Sequence, residues 1–193
     1  MATASTLTDV ANLALSILGD KRIRNIDDDG GLSDLVRPML YESIRQTQLE
    51  ISWQELRVSY TPTGTGNTHS QETAYYEYNL PNNFLDMVDV NGGADWFLED
   101  SKLYAKASEA KVTYKKYSEE VTEWSGYLVE MVYKRTAMNC AMAVTQNAGI
   151  AQQASQLYEL AKVNNLMKSQ NRARNVAYRQ QDYIWSRTRR ARY

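Results

Sequence analysis

Leu56-Arg57-Val58-Ser59-Tyr60 is the stretch at which the chain changes its period. Before it, apolar residues recur every three or four positions. Within it, Leu56, Val58 and Tyr60 alternate with Arg57 and Ser59, which is the two-residue period of a half-buried strand. The alternation resumes at Tyr76, Tyr78 and Leu80, ahead of Pro81. Leu85 to Val90, Trp96 to Leu98, Leu103 to Ala105 and Val112 to Tyr117 read as further short strands, with Asn91-Gly92-Gly93 and Asp100-Ser101 as turns. Between the first two strands, Thr61 to Ser70 is polar and glycine-bearing and is expected to be a mobile loop. Residues 55–120 thus read as a small antiparallel β module.

Helical patterns flank this module. Thr6-x-x-Asp9 has the form of a capping box and opens a helix carrying Val10, Leu13, Ala14 and Ile17, closed by Gly19. Lys21 to Gly31 contains Ile23, Ile26 and the turn-favouring Asp27-Asp28-Asp29-Gly30-Gly31. Ser33 or Asp34 is the expected cap of a second helix whose stripe is Val36, Leu40, Ile44, Thr47 and Ile51, with Pro38 in or near its first turn. A third helix is expected from about Trp124 to Gln146, where Leu128, Met131, Val132, Met138 and Met142 lie among Ala137, Cys140, Ala141 and Ala143. After Asn147-Ala148-Gly149 a fourth helix carries Ala154, Leu157, Leu160, Ala161 and Met167.

These patterns predict a mainly α fold: an antiparallel four-helix core, a small antiparallel β module inserted between helices 2 and 3, and an extended C-terminal arm. The divisions are 1–54 for the first pair of helices, 55–120 for the module, 121–169 for the second pair, and 170–193 for the arm.

Composition narrows the function. A hydrophobic fraction of 43 % with 23 % charged residues is ordinary for a globular chain, and no apolar run is long enough to span a bilayer. Met1 to Thr8 lacks the layout of a secretory signal, so synthesis in a cytoplasm is expected. One cysteine, Cys140, excludes an intramolecular disulfide, and one histidine, His69, leaves no His/Cys cluster for zinc.

Catalytic readings are weak. His69 sits in the polar stretch and reads as a solvated loop residue rather than the base of a nucleophilic triad. The pairs Glu99/Asp100 and Glu119/Glu120 are neighbours in sequence, whereas glycoside hydrolysis needs two carboxylates across a cleft. The Asp27-Asp28-Asp29 run lacks the alternating ligands and distal glutamate of an EF-hand, and Gly64-Thr65-Gly66 lacks the lysine of a phosphate loop. No enzyme, catalytic residue, metal or cofactor is expected.

Charge is distributed unevenly. From Lys168 onward there are eight basic residues and one acid, Asp182, which gives 8 − 1 = +7; the net charge of −1 then leaves −1 − 7 = −8 for Met1 to Met167. The basic segment also carries Tyr178, Tyr183, Ile184, Trp185 and Tyr193. Arginine with large aromatics is the composition of interface hot spots, and it also suits a nucleic-acid backbone. The acidic body disfavours a dedicated DNA binder. Arg179, Tyr183, Trp185, Arg187, Arg189, Arg190, Arg192 and Tyr193 are the candidate partner-binding residues.

The run Ala11-Asn12-Leu13-Ala14-Leu15-Ser16-Ile17-Leu18-Gly19, then Ile23, Ile26-Asp27-Asp28, Tyr41, Arg45 and Trp53, resembles the opening of the head-to-tail adaptor proteins of short-tailed bacteriophages, the tail tubular protein A or gatekeeper-ring type. The resemblance continues through Tyr76-Glu77-Tyr78-Asn79-Leu80-Pro81, Leu85 to Val90 and Val112-Thr113-Tyr114, and spans roughly Thr6 to Met167. It departs at Glu55, where that family often has an aromatic residue, and does not cover the arm. It implies a virion protein assembled as a ring, usually of twelve copies, that joins the portal to a tail tube or nozzle protein and extends the channel through which packaged DNA passes. In that family a C-terminal extension docks on the portal. The expectation is therefore a structural adaptor without membrane contact; the alternative is a nucleic-acid-binding accessory protein using the same tail.

Overall fold

A computed structural model describes residues 4–72, 74–91 and 93–167. The first helix, α1 (Leu7–Leu18), starts where Thr6 and Asp9 cap each other: the Thr6 hydroxyl accepts from the Asp9 amide at 3.1 Å, and the Asp9 carboxylate accepts from the Thr6 amide at 3.0 Å. Gly19 ends it at φ +73°, a left-handed conformation that costs a residue without Cβ little. The buried face is Val10, Ala11, Ala14, Leu15 and Leu18.

The second helix, α2 (Leu32–Glu50), begins at Gly31 without a side-chain cap. Ser33, an expected cap, is instead buried, and its hydroxyl donates to the Asn25 carbonyl at 3.2 Å. Pro38 lies inside the helix, beyond the expected first turn. Val36, Leu40, Ile44 and Thr47 form the buried stripe as expected.

Seven strands follow: β1 (Arg57–Tyr60), β2 (Gly64–Thr68), β3 (Tyr76–Asn79), β4 (Phe84–Val90), β5 (Trp96–Glu99), β6 (Lys102–Ala105) and β7 (Val112–Lys116). They form two antiparallel sheets, one of order β1-β7-β4 and one of order β2-β3-β6-β5. The polar stretch expected to be a mobile loop supplies β2, an edge strand of the second sheet. Backbone hydrogen bonding to β3 makes it a strand although it buries little.

The chain then enters α3 (Gly126–Thr145), capped by the Ser125 hydroxyl accepting from the Leu128 amide at 3.3 Å. Residues 148–167 form α4.

Two hydrophobic cores result. One joins the helices through Val10, Leu15, Leu40, Ile44, Leu128, Met131, Ala154 and Tyr158, and it includes Trp53 and Trp124. The other lies among the strands and consists of Tyr78, Met87, Val90, Leu103, Ala105, Ala110, Val112 and Tyr114. Burying each large apolar side chain contributes about 1.5–3 kcal/mol, so each cluster is a substantial core in its own right.

This arrangement corrects the expected fold class. The described chain is a mixed α/β fold of four helices and seven strands in two antiparallel sheets, not a mainly α four-helix core with a small β insertion. Sequence periodicity found most of the strands but not their division into two sheets. That division depends on long-range register, such as Tyr60 opposite Val112 and Tyr78 opposite Leu103.

Candidate interaction surface

Arg179, Tyr183, Trp185, Arg187, Arg189, Arg190, Arg192 and Tyr193 lie outside the described residues, as does the whole expected arm. What can be described is the part of the body from which that segment departs. It is held by one carboxylate. Glu50, the last residue of α2, accepts through Oε2 from Arg135 Nη1 of α3 at 2.8 Å and from the Tyr158 hydroxyl of α4 at 2.7 Å. Its Oε1 pairs with Lys162 of α4. The Arg135 guanidinium lies over the Tyr158 ring, 5.1 Å from its centre.

The electrostatics follow from this packing. Burial pushes the Glu50 carboxyl up, but hydrogen bonds from Lys162 and Tyr158 and the charges of Arg135 and Lys162 outweigh it and hold the group below its ordinary value. Burial, and then the hydrogen bond to Glu50, push the Tyr158 phenol well above its usual range. A single anion thus binds three helices together and fixes the direction in which α4 runs. Glu50 and Tyr158 are 108 positions apart in sequence, so no local pattern announces the pair.

The inner face of α4 is Ala154, Tyr158, Ala161 and Asn165, all buried. Leu160 and Met167, two of the apolar residues by which the sequence marks this helix, point outward, and Val163 lies exposed between them. Leu160 differs from Ala161 by one position, or about 100° around the helix, which is enough to turn it to solvent.

At the other end of the chain the quoted motif residues act together structurally. The Asn12 side chain donates through Nδ2 to the Ile23 carbonyl at 3.0 Å and accepts from the Ile23 amide at 2.9 Å. The Thr8 hydroxyl oxygen accepts from the Ile26 amide at 3.1 Å, and Ile26 is buried. Arg37 donates to the carbonyls of Ile26 and Asp28 at 2.8 and 2.7 Å. The Asn12…Gly19…Ile23…Ile26 spacing therefore clamps the connection between α1 and α2. Asp27, Asp28 and Asp29 sit on the outside of that connection. A shallow cavity of about 520 Å³ beside it, lined by Thr6, Thr8, Arg24, Asn25 and Asp27 among others, has its capping amides already satisfied by Asp9 and Thr6.

The remaining sequence candidates have structural surroundings. His69 is not a solvated loop residue: its side chain is 13 % exposed and stands edge-on to Phe97 and Tyr104. Its Nδ1 accepts from the Glu72 amide at 3.1 Å, so Nε2 carries the proton that it shares with Glu99 at 2.7 Å. This latch folds the chain after β2 across the second sheet. Glu119 accepts from the Tyr117 hydroxyl at 2.9 Å, and Glu120 accepts from the Thr122 hydroxyl at 3.4 Å. Cys140 is buried in the helical core, and burial pushes its thiol up to about 11. Among the described residues His69 and Glu99 meet in this latch, whereas Glu119, Glu120 and Cys140 lie in separate surroundings.

Compared with known proteins, the chain matches no family model and no curated sequence. The adaptor resemblance accordingly rests on the motif residues quoted above.

Proposed function

We propose that this protein is a structural adaptor of the bacteriophage head-to-tail junction, a ring component that joins the portal to a tail tube or nozzle protein and continues the DNA channel. The observation that carries the reading is the Asn12–Ile23 clamp with its neighbours Thr8–Ile26 and Arg37. The residues through which the sequence resembles the adaptors make contact with one another and build a connection between helices, as a scaffold motif does and a catalytic motif does not. The mixed body, with two cores and an α4 tied down by the Glu50 carboxylate, supplies the platform. The segment 168–193, with its charge of +7 and its Tyr, Trp and Arg composition, supplies the docking arm. Weak arm contacts repeated around a ring give high avidity.

The test is reconstitution with the portal protein of the same virus, followed by electron microscopy of the product. The reading expects rings seated on portals, with attachment lost when Ala177 to Tyr193 is deleted. A full-length chain that leaves portals bare refutes it. Binding to duplex DNA that falls steeply with salt, without portal binding, would favour the nucleic-acid reading of the same tail.

A further inference from the structure

Both ring nitrogens of His69 are engaged. Nδ1 accepts from the Glu72 amide at 3.1 Å and from the Gln71 amide at 3.4 Å, and Nε2 shares its proton with the Glu99 carboxylate at 2.7 Å. The ring stands edge-on to Phe97 of β5 and Tyr104 of β6, with ring centres 5.2 and 4.9 Å away. His69 directly follows β2, and its own amide donates to the Tyr75 carbonyl at 2.9 Å. β2 pairs with β3 at Gly64 opposite Tyr78 and at Thr68 opposite Tyr76, with a register shift between the two. The His69 side chain therefore pins the end of an edge strand that buries little of its own.

The charge of the ring decides whether this arrangement exists. A neutral ring with its proton on Nε2 leaves the Nδ1 lone pair for the two amides. A charged ring donates from both nitrogens, and Nδ1–H then faces two N–H groups. Glu99 accepts from Nε2 in either state, so the conflict lies at Nδ1. The Glu99 carboxylate also attracts a charged ring, but its side chain is 53 % exposed, where solvent screens that attraction. The other charges around the ring are matched: Lys102 of β6 with Glu77 of β3, and Lys106 of β6 with Asp95 of β5, each at 2.9 Å. The Tyr104 phenol donates to Glu77 at 3.1 Å, and Lys106 lies over the Tyr75 ring. Gln71 and Glu72, whose carboxylate belongs to the turn itself, are exposed, so water takes the place of Nδ1 once the turn opens.

We propose that His69 is a pH-sensitive latch: protonation at Nδ1 breaks its bonds to the Gln71 and Glu72 amides and frees the end of β2 from the sheet face that carries Phe97 and Tyr104. The bonds are complete while the ring is neutral and are lost as the pH falls through the histidine range, about 6.5 in short peptides. Carboxylates in short peptides titrate at about 4, below that range. Glu77 is held lower still, above all by the hydrogen bond from Lys102, and stays ionised throughout.

The full chain is followed by NMR at about pH 7.5 and about pH 5.5, on either side of the histidine range. The readouts are the imidazole nitrogen shifts and the exchange protection of the Gln71 and Glu72 amides, corrected for intrinsic rates. The Nε2–H tautomer is expected at the higher pH, and a loss of protection by about tenfold or more at the lower. An Nδ1–H tautomer at the higher pH, or unchanged protection, overturns the latch. His69→Asn keeps a side-chain acceptor for the turn, as Asx turns do, but takes up no proton, so its protection is expected to stay constant. Equal losses in the two proteins assign the effect to another group and overturn the latch. Glu99→Gln keeps an acceptor for Nε2–H without the charge, and the loss at both amides is expected to persist. Its disappearance moves the switch to the Glu99 ion pair and overturns the assignment to Nδ1. Thermal melting identifies a variant that fails to fold, in which case the tautomer and protection of the unsubstituted chain decide.

Discussion

Gln48 and Ser118 exchange two hydrogen bonds in the interior, where α2 meets the segment leaving β7: Gln48 Nε2 donates to the Ser118 carbonyl at 2.7 Å, and Gln48 Oε1 accepts from the Ser118 amide at 3.2 Å. Gln48 has no exposed surface and Ser118 almost none. One side chain thereby satisfies a backbone donor and acceptor 70 residues away and locks the strand region to the helices. Gln48→Ala leaves both groups buried and unpaired, at about 1–3 kcal/mol for each group. A loss of about 2–4 kcal/mol is expected in urea denaturation, and Gln48→Glu does not restore stability, because it places a buried carboxylate against the Ser118 carbonyl. A loss below 0.5 kcal/mol, on the scale of an ordinary surface change, would contradict the lock.

The Glu50 hub makes stability dependent on acid. A carboxyl held lower in the folded chain than in the unfolded one stabilises fully above its unfolded value, ordinarily 4.5, and that contribution is lost as the pH falls through the lower folded value. Asp9, Glu77 and Glu123 are shifted in the same direction, so acidification weakens several ties together. Glu50→Gln is expected to cost about 1 kcal/mol near neutral pH, the scale of a partly screened ion pair, or roughly 2–4 °C in melting temperature. The variant's melting temperature then falls less than the wild type's on going from about pH 6 to about pH 3. Parallel pH profiles for the two proteins would show that the hub contributes no such dependence.

The clamp on Ile23 is separable into donor and acceptor. Asn12→Ala removes both bonds and is expected to cost about 1–2 kcal/mol. Asn12→Asp keeps the acceptor for the Ile23 amide but places a carboxylate against the Ile23 carbonyl, so it does not restore stability. Amide hydrogen exchange at Ile23 is the direct readout: protection falls in Asn12→Ala and persists in part in Asn12→Asp.

Cys140 reports on the helical core. With its thiol raised to about 11 and only 1 % exposed, it holds almost no thiolate at pH 8 while folded. Labelling by a thiol reagent is expected to be slow in the native protein and to reach completion in denaturant, so its rate follows opening of the core. Rapid labelling without denaturant would place the thiol at the surface.

Much of the local structure was legible in the chain. Thr6, Asp9 and Gly19 bound α1 because capping is a contact between near neighbours, and in β1 Val58 and Tyr60 turn inward between exposed Arg57 and Ser59 because a strand has two faces; in β3 the expected alternation fails, since Tyr76 is exposed while Glu77 and Tyr78 are both buried. The β2 strand escaped notice because Gly64 to Thr68 buries almost nothing and is strand only through its pairing with β3. Leu160 and Met167 mark α4 as a helix in the sequence, but periodicity identifies apolar positions without saying which of them the body covers, and these two stay exposed. Glu50, Arg135, Tyr158 and Lys162 carried no signal at all, since the hub exists only once three helices meet. Of the candidate residues, the sequence offered the arm, and the structure showed that Leu160, Val163 and Met167 face outward.

The sequence by itself determined the caps of α1, the switch to a two-residue period at Leu56, and the contrast between an acidic body and a +7 end, since each depends on residues close together in the chain or on a simple sum of charges. Tertiary structure alone decided that the strands form two sheets with a second core, that Gln48 reaches Ser118, and that Glu50 orients α4 with Leu160, Val163 and Met167 facing outward. These depend on contacts between distant residues, where burial and long-range hydrogen bonds outweigh local preference.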